Sequence, residues 1–172
     1  MLPEPVEAKD LNIYGDAKLP WSRAYKALEV GIGLAETASF LTTVGVDSRP
    51  HSTGIGAMAH GGYLYFTSGP RTVKSRNLAV NPACALAFRF PEVDLTFEGD
   101  AQRTTEIDEL DALTELYRRF DWPAERSGDA ITAPFSAQSA GPGPWHLYRF
   151  VIRTAVGVAL TEPHGATSWR FE

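Results

Sequence analysis

Residues 63–82 read YLYFTSGPRTVKSRNLAVNP. The first six, aromatic-rich and closing on Thr67 and Ser68, have strand character, and TVKSRNLAV has the character of a short helix closed by Asn81-Pro82. Ser68, Gly69 and Thr72 make a small, hydroxyl-rich turn between the two, followed by the cations Arg71, Lys74 and Arg76. A strand that turns into a helix through such residues presents backbone N–H groups and positive charge to one spot, which favours an anion. Gly69 permits close approach of a ligand, Thr72 suits an N-cap or a hydroxyl donor, and Arg71 and Lys74 suit phosphate. The same residue types also serve simply to cap a helix. Both readings stay open on this stretch alone. There is no P-loop and no G-x-G-x-x-G after a strand.

Working outward, ASFLTTVGVD (38–47), HSTGIGAMA (51–59), CALAFRF (84–90) and DLTFEGDAQRT (94–104) are strand-like runs divided by the turns DSRP, HGG and PEV. Pro20, Trp21, Tyr25 and Leu28 predict a short helix that Gly31 and Gly33 end. A second helix is expected after Thr105, which with Asp108 suggests a capping box, and Ile107, Leu110, Leu113, Tyr117 and Phe120 would line one face. HLYRFVIRTAVGVAL (146–160) predicts a long strand or a pair of strands with a bend. Residues 1–18 read as a loosely ordered arm. The single domain then spans 19–172, with a flexible loop at about 121–145, rich in Pro, Gly, Ser and Ala. Many antiparallel strands with a few short helices predict a mainly β protein, a β-barrel with short helices.

The 172 residues suit one domain, and 44% hydrophobic with 22% charged content is ordinary for a globular chain. No apolar run is long enough to span a bilayer, and the opening MLPEPVEAKD lacks the pattern of a signal segment. Cys84 is the single cysteine, which excludes an internal disulfide and fits a reducing cytoplasm, the expected location. A net charge of −5 discourages nucleic acid. His51, His60, His146 and His164 are scattered without metal-ligand spacing, so no metal site is expected. No G-x-S-x-G elbow appears, and Ser136 and Ser139 have no base nearby in sequence. Asp94 and Glu98 alternate on one strand as solvent-facing acids. Tyr148 and His146 share a strand face and are candidates for bordering a substrate pocket.

RPHSTGIGAMAHGGYLYFTSGPRTVKSRNLAVNPACALAF (49–88) resembles the core of the pyridoxamine 5'-phosphate oxidase-like FMN-binding split barrels, a superfamily that includes deazaflavin-dependent reductases. LTFEGDAQRT (95–104) resembles the strand that follows, and GATSWRF (165–171) resembles a GATRWRF ending found in one branch. The likeness covers roughly residues 20–172 and is most specific over 37–105. It implies a six-stranded antiparallel split barrel and a homodimer with cofactor at the interface. It implies hydride transfer between a phosphate-bearing cofactor, FMN or coenzyme F420, and a small organic substrate, with no membrane partner. FAD and haem are the alternative cofactors, and a non-catalytic flavin- or haem-binding protein is the alternative function. By motif matching, Thr67, Ser68, Thr72 and Lys74, with Arg71 near them, would hold the phosphate. Ser52, Thr53, Gly54 and Ile55 would run along the ring, and Trp169 and Arg170 of the partner's tail would cover it. Val73 stands where relatives often carry a cation, and Ser168 where the tail motif carries Arg.

Overall fold

The computed structural model describes residues 1–138 and 140–171; Ser139, weighed above as a nucleophile, and Glu172 lie outside the described residues. In chain order the elements are β1 (Glu7–Asp10), α1 (Trp21–Gly31), β2 (Ala38–Val44), β3 (Pro50–Gly54), β4 (Ala57–His60), β5 (Tyr63–Ser68), α2 (Val73–Val80), β6 (Ala83–Arg89), β7 (Val93–Thr104), α3 (Ile107–Arg119), β8 (Glu125–Ser127), β9 (Ala130–Thr132), β10 (Ser136–Ala137), β11 (Gly141–Pro142), β12 (His146–Ala159) and β13 (Ala166–Arg170).

The described strands include a nine-stranded antiparallel sheet, more than the six expected. The difference has a simple origin. β3 and β4 are two lengths of one line, interrupted at Ile55-Gly56; β3 pairs with β2, and β4 pairs with β5. The Ile55 N–H still bonds to Ser39 O before the chain turns to its new partner. Counting that line once, the strands run β2, β3/β4, β5, β12, β7, β6 and back to β2. The remaining two, β13 and β1, are added beyond the ring. β12 is long enough to serve both parts: His146–Phe150 pair with β5, and Thr154–Val158 pair with β13 on the same edge.

Alternation decides what each face does. Leu41, Leu64, Phe66, Leu86, Phe88, Leu95, Phe97 and Phe150 point into the barrel, closed by Trp21, Leu28 and Trp169. The opposite face of β4, β5 and β12 is covered by α3, whose Leu110, Leu113 and Tyr117 pack on Met58, Tyr65 and Leu147. Arg149 donates to Glu109 at 2.7 Å across that layer and lies 5.2 Å from the Tyr63 ring centroid.

Three local expectations change. Residues 1–18 are held down: β1 pairs with β13, Leu2 is buried in the core, and Lys18 donates to Ala8 O at 3.1 Å. Residues 121–145 contain the hairpins β8–β9 and β10–β11, whose short strands carry too few alternating residues to stand out in a sequence. The Thr105–Asp108 capping box is replaced. Glu106 is the N-cap without a side-chain bond, and Thr104 Oγ1 accepts from the Glu106 N–H at 3.3 Å. Ile107 is consequently exposed while Leu110, Leu113 and Tyr117 are buried. Among the described residues no helix is long and apolar enough to cross a membrane.

Candidate anion and cofactor site

Thr72 stops the extended chain and starts α2: its backbone is extended and its Oγ1 accepts from the Ser75 N–H at 3.3 Å. That hydroxyl also meets Ser68 Oγ at 2.8 Å and Ser75 Oγ at 3.1 Å, and Ser75 Oγ meets Ser68 Oγ at 2.8 Å. A further bond, Thr72 Oγ1 to Gly69 O at 2.9 Å, ties the triangle to the turn. Three hydroxyl protons are shared among these four contacts, so three of the four are hydrogen bonds at any moment. The first-turn N–H groups of Val73 and Lys74 have no intrahelical acceptor by position, so they are available to an anion. Replacing Thr72 by Ala removes the cap and the hub of the triangle together. The expected loss is about 1–2 kcal/mol, or roughly 2–8 °C in Tm at this chain length, read by calorimetry.

Lys74 gives the turn its electrostatic character. Its side chain is 6% exposed. Among the described residues its ammonium has no ion pair and no hydrogen-bond partner, and burial alone pushes its pKa below the usual lysine value. Burying a cation without a counter-ion is unfavourable, so the position calls for a negative ligand. Asn77, one turn later on the same side of α2, donates to Thr43 Oγ1 at 3.0 Å and pins the helix to β2. Thr43 is paired in register with His51, at the start of β3.

The other residues singled out in the sequence distribute as follows. Thr67 follows Phe66 on the opposite face of β5 from Ser68, on the α3 side. Arg71 is exposed and makes no ion pair among the described residues, while its carbonyl accepts from Arg76 at 2.7 Å. Along β3, Ser52 and Gly54 are on the outer face and Thr53 alternates with them; Ser52 accepts from Thr42 at 3.1 Å. Ile55 packs against the core. A Cβ built on Gly54 meets nothing within 4 Å, so the outside of β3 is open to a flat group. Trp169 is buried edge-on to Trp21 at 5.3 Å, and Arg170 bonds to Glu7 at 3.0 Å. Within one chain these two are not brought to the hydroxyl triangle. Arg170 does share a cross-strand row with Ser52, through Thr42, Ala85, Glu98 and Thr154.

Ser75 and Asn77 escaped the sequence reading. Ser75 lies three residues after the Thr72 cap, and that spacing was the available signal. A cleft of about 540 Å³ opens beside Thr72 between Pro70-Arg71 and the segment Ala140–Pro144, with His146 at its edge. It exists because the β8–β9 and β10–β11 hairpins fold back toward α2. His146 pairs with Ser68 in register, so the cleft adjoins the triangle. Burial and the nearby Arg103 lower the His146 pKa, against the opposing influence of Asp129, whose carboxylate is held by Arg103 at 2.6 Å. Tyr148 lies farther into the barrel, stacked on Phe66 at 5.3 Å.

The family model described as Pyridoxamine 5'-phosphate oxidase matches residues 32–155. No curated protein matches. Several solved structures share the fold. One is a pyridoxamine 5'-phosphate oxidase-related, FMN binding protein from Nostoc punctiforme, with 18% identity and a TM-score of 0.58, covering 87% of this chain and 90% of that one. A nimC/nimA family protein from Clostridium acetobutylicum has 14% identity and a TM-score of 0.57, covering 88% and 94%. A heme binding protein from Mycobacterium smegmatis has 13% identity and a TM-score of 0.57, covering 87% of this chain and 58% of that one.

Proposed function

This chain belongs to the pyridoxamine 5'-phosphate oxidase family, and from that premise we propose that it is a dimeric oxidoreductase that uses a phosphate-bearing flavin or deazaflavin. The observation that carries the reading is Lys74, a buried residue at the start of a helix whose cation has no counter-ion among the described residues. A phosphate supplies the missing charge, and the first-turn N–H groups of α2 supply donors. The open outer face of β3, from Ser52 to Gly54, lies beyond His51 and leaves room for a tricyclic ring. The Nostoc neighbour's described FMN binding supports a flavin, and the Mycobacterium neighbour's described heme binding makes haem the competing ligand.

Such a cofactor, when bound, supplies hydride chemistry. On this reading Lys74 and the α2 turn anchor the phosphate, β3 orients the ring, and the cleft beside His146 excludes water from one side. The dimer is proposed from the exterior face of β2, β6, β7 and β12. There Phe40 is 50% exposed beside the small Ala85 and Ala87 and near Val156, a flat surface able to bury area against a second copy.

The test is a pair of fluorescence titrations on ligand-free protein, with riboflavin 5'-phosphate and with coenzyme F420. Saturable binding of either supports the reading. Binding of haem alone would replace it. Reduction of the bound cofactor followed by reoxidation with an organic acceptor separates an oxidoreductase from a carrier.

A further inference from the structure

We propose that the cavity at the break between β3 and β4 is a ligand site for a single-ring cyclic amide, held by its polar edge against Gly56. The site is independent of the flavin-type reading and lies at the far end of β3 from His51. The break itself makes it. Ile55 is the last residue of the line to bond to β2, through its N–H to Ser39 O, and Ala57 is the first to pair with β5, opposite Phe66. Gly56 falls between the two partners. Among the described residues neither its N–H nor its C=O has a hydrogen-bond partner. Gly56 lines a cavity of about 200 Å³ with the loop that follows α1, and with Ser39 and Phe88. Gly33, at a φ of 85°, lets that loop close over Met58; a Cβ there would fall 2.9 Å from Met58 Sδ. At Gly56 a Cβ meets nothing within 4 Å, so its backbone stays open to a ligand.

Size and chemistry then choose the ligand. An apolar cavity of about 150 Å³ takes up benzene, so this volume suits one ring with small substituents and not a tricyclic group. Ile55, Met58 and Phe88 give it apolar walls. No charged side chain lines it, so a carboxylate, phosphate or ammonium would be buried there without a counter-ion. Its two hydroxyls have already given their protons away, Thr37 to Gly31 O at 2.7 Å and Ser39 to Ile55 O. Gly56 therefore supplies a free donor and a free acceptor from one residue. A ligand with N–H and C=O side by side satisfies both, in the two-point exchange that opposed residues of antiparallel strands make. Within a small ring, that pair of groups is a cyclic amide.

The experiment is an NMR titration of ligand-free protein with three probes: 2-pyridone, N-methyl-2-pyridone and benzene. 2-Pyridone is expected to bind saturably, to move the Gly56 amide proton downfield and to give NOEs from its ring to Phe88 and Met58. N-methyl-2-pyridone keeps the ring and the carbonyl but has no donor, and is expected to bind at least about fivefold more weakly. Benzene has neither polar group and is expected to leave the Gly56 amide proton in place. Equal affinity for the two pyridones, or a Gly56 shift with benzene as large as with 2-pyridone, overturns the two-point contact and with it the proposal. Absence of saturable 2-pyridone binding, or NOEs only to residues outside the cavity, overturns the site. No cofactor enters these titrations, so failure of the flavin and deazaflavin titrations defeats the flavin-type reading alone.

Discussion

Replacing Lys74 by Met weakens cofactor binding by about 1.5–3 kcal/mol, the range for a charge-assisted bond to phosphate, or roughly 10- to 150-fold in Kd. The same substitution raises the Tm of the ligand-free protein. Both effects have one cause. Lys74 is a buried residue whose ammonium has no ion pair among the described residues, so the ligand-free protein bears a desolvation cost that a bound anion offsets. Methionine keeps the unbranched shape and removes the charge.

The pH dependence follows in sign. The folded-state pKa of Lys74 is depressed, so between that value and the unfolded value of about 10.4 the unfolded chain binds more protons. Stability of the ligand-free protein therefore gains a rising contribution across that window. The penalty is fully present below the folded pKa and gone above the unfolded one. Lys74→Met should flatten this part of the profile in denaturation experiments run at several pH values. Unchanged affinity together with unchanged Tm would remove Lys74 from the site.

Gly99→Val is expected to cost on the order of 4 kcal/mol, a fall of roughly 8–16 °C in Tm at this chain length. Gly99 sits in β7 opposite Ile152, next to the irregularity between Ile152 and Thr154 in β12. A Cβ there falls 2.0 Å from Val151 O and 3.0 Å from the Phe150 ring. The near atom is backbone in the longest strand pairing of the barrel, so neither partner moves cheaply. Gly54→Ala is the contrasting control. Its Cβ meets nothing within 4 Å, so stability should change by no more than about 0.5 kcal/mol, while a ring lying along β3 would register the added methyl in its affinity. Comparable losses of stability for the two variants would contradict the barrel register.

The strand-to-helix turn was legible because its chemistry is local. Thr72 caps the helix that begins one residue later, and the residue types needed for that are written consecutively. The sheet's main strands were legible for a similar reason, since alternation over five or more residues marks a face to be buried. The capping box at Thr105 misled because Thr104, the last residue of β7, offers its hydroxyl to Glu106 first. The hairpins within 121–145 stayed hidden because strands of two and three residues have no periodicity to read.

By itself the sequence determined the mainly β class, the position of α2 after a hydroxyl-bearing turn, and the presence of a lysine two residues into that turn's helix. These are one-dimensional properties of pattern and spacing. Only the tertiary structure decided that Lys74 is buried without an ion pair among the described residues, that Ser75 joins Ser68 and Thr72, and that Thr67 turns away toward α3. It also decided that Ile55-Gly56 divides one strand between two partners, and that Ala140–Pro144 returns to make a cleft beside Arg71. Burial, charge pairing and cavity shape depend on residues far apart in the chain, and local pattern carries no record of which of them meet.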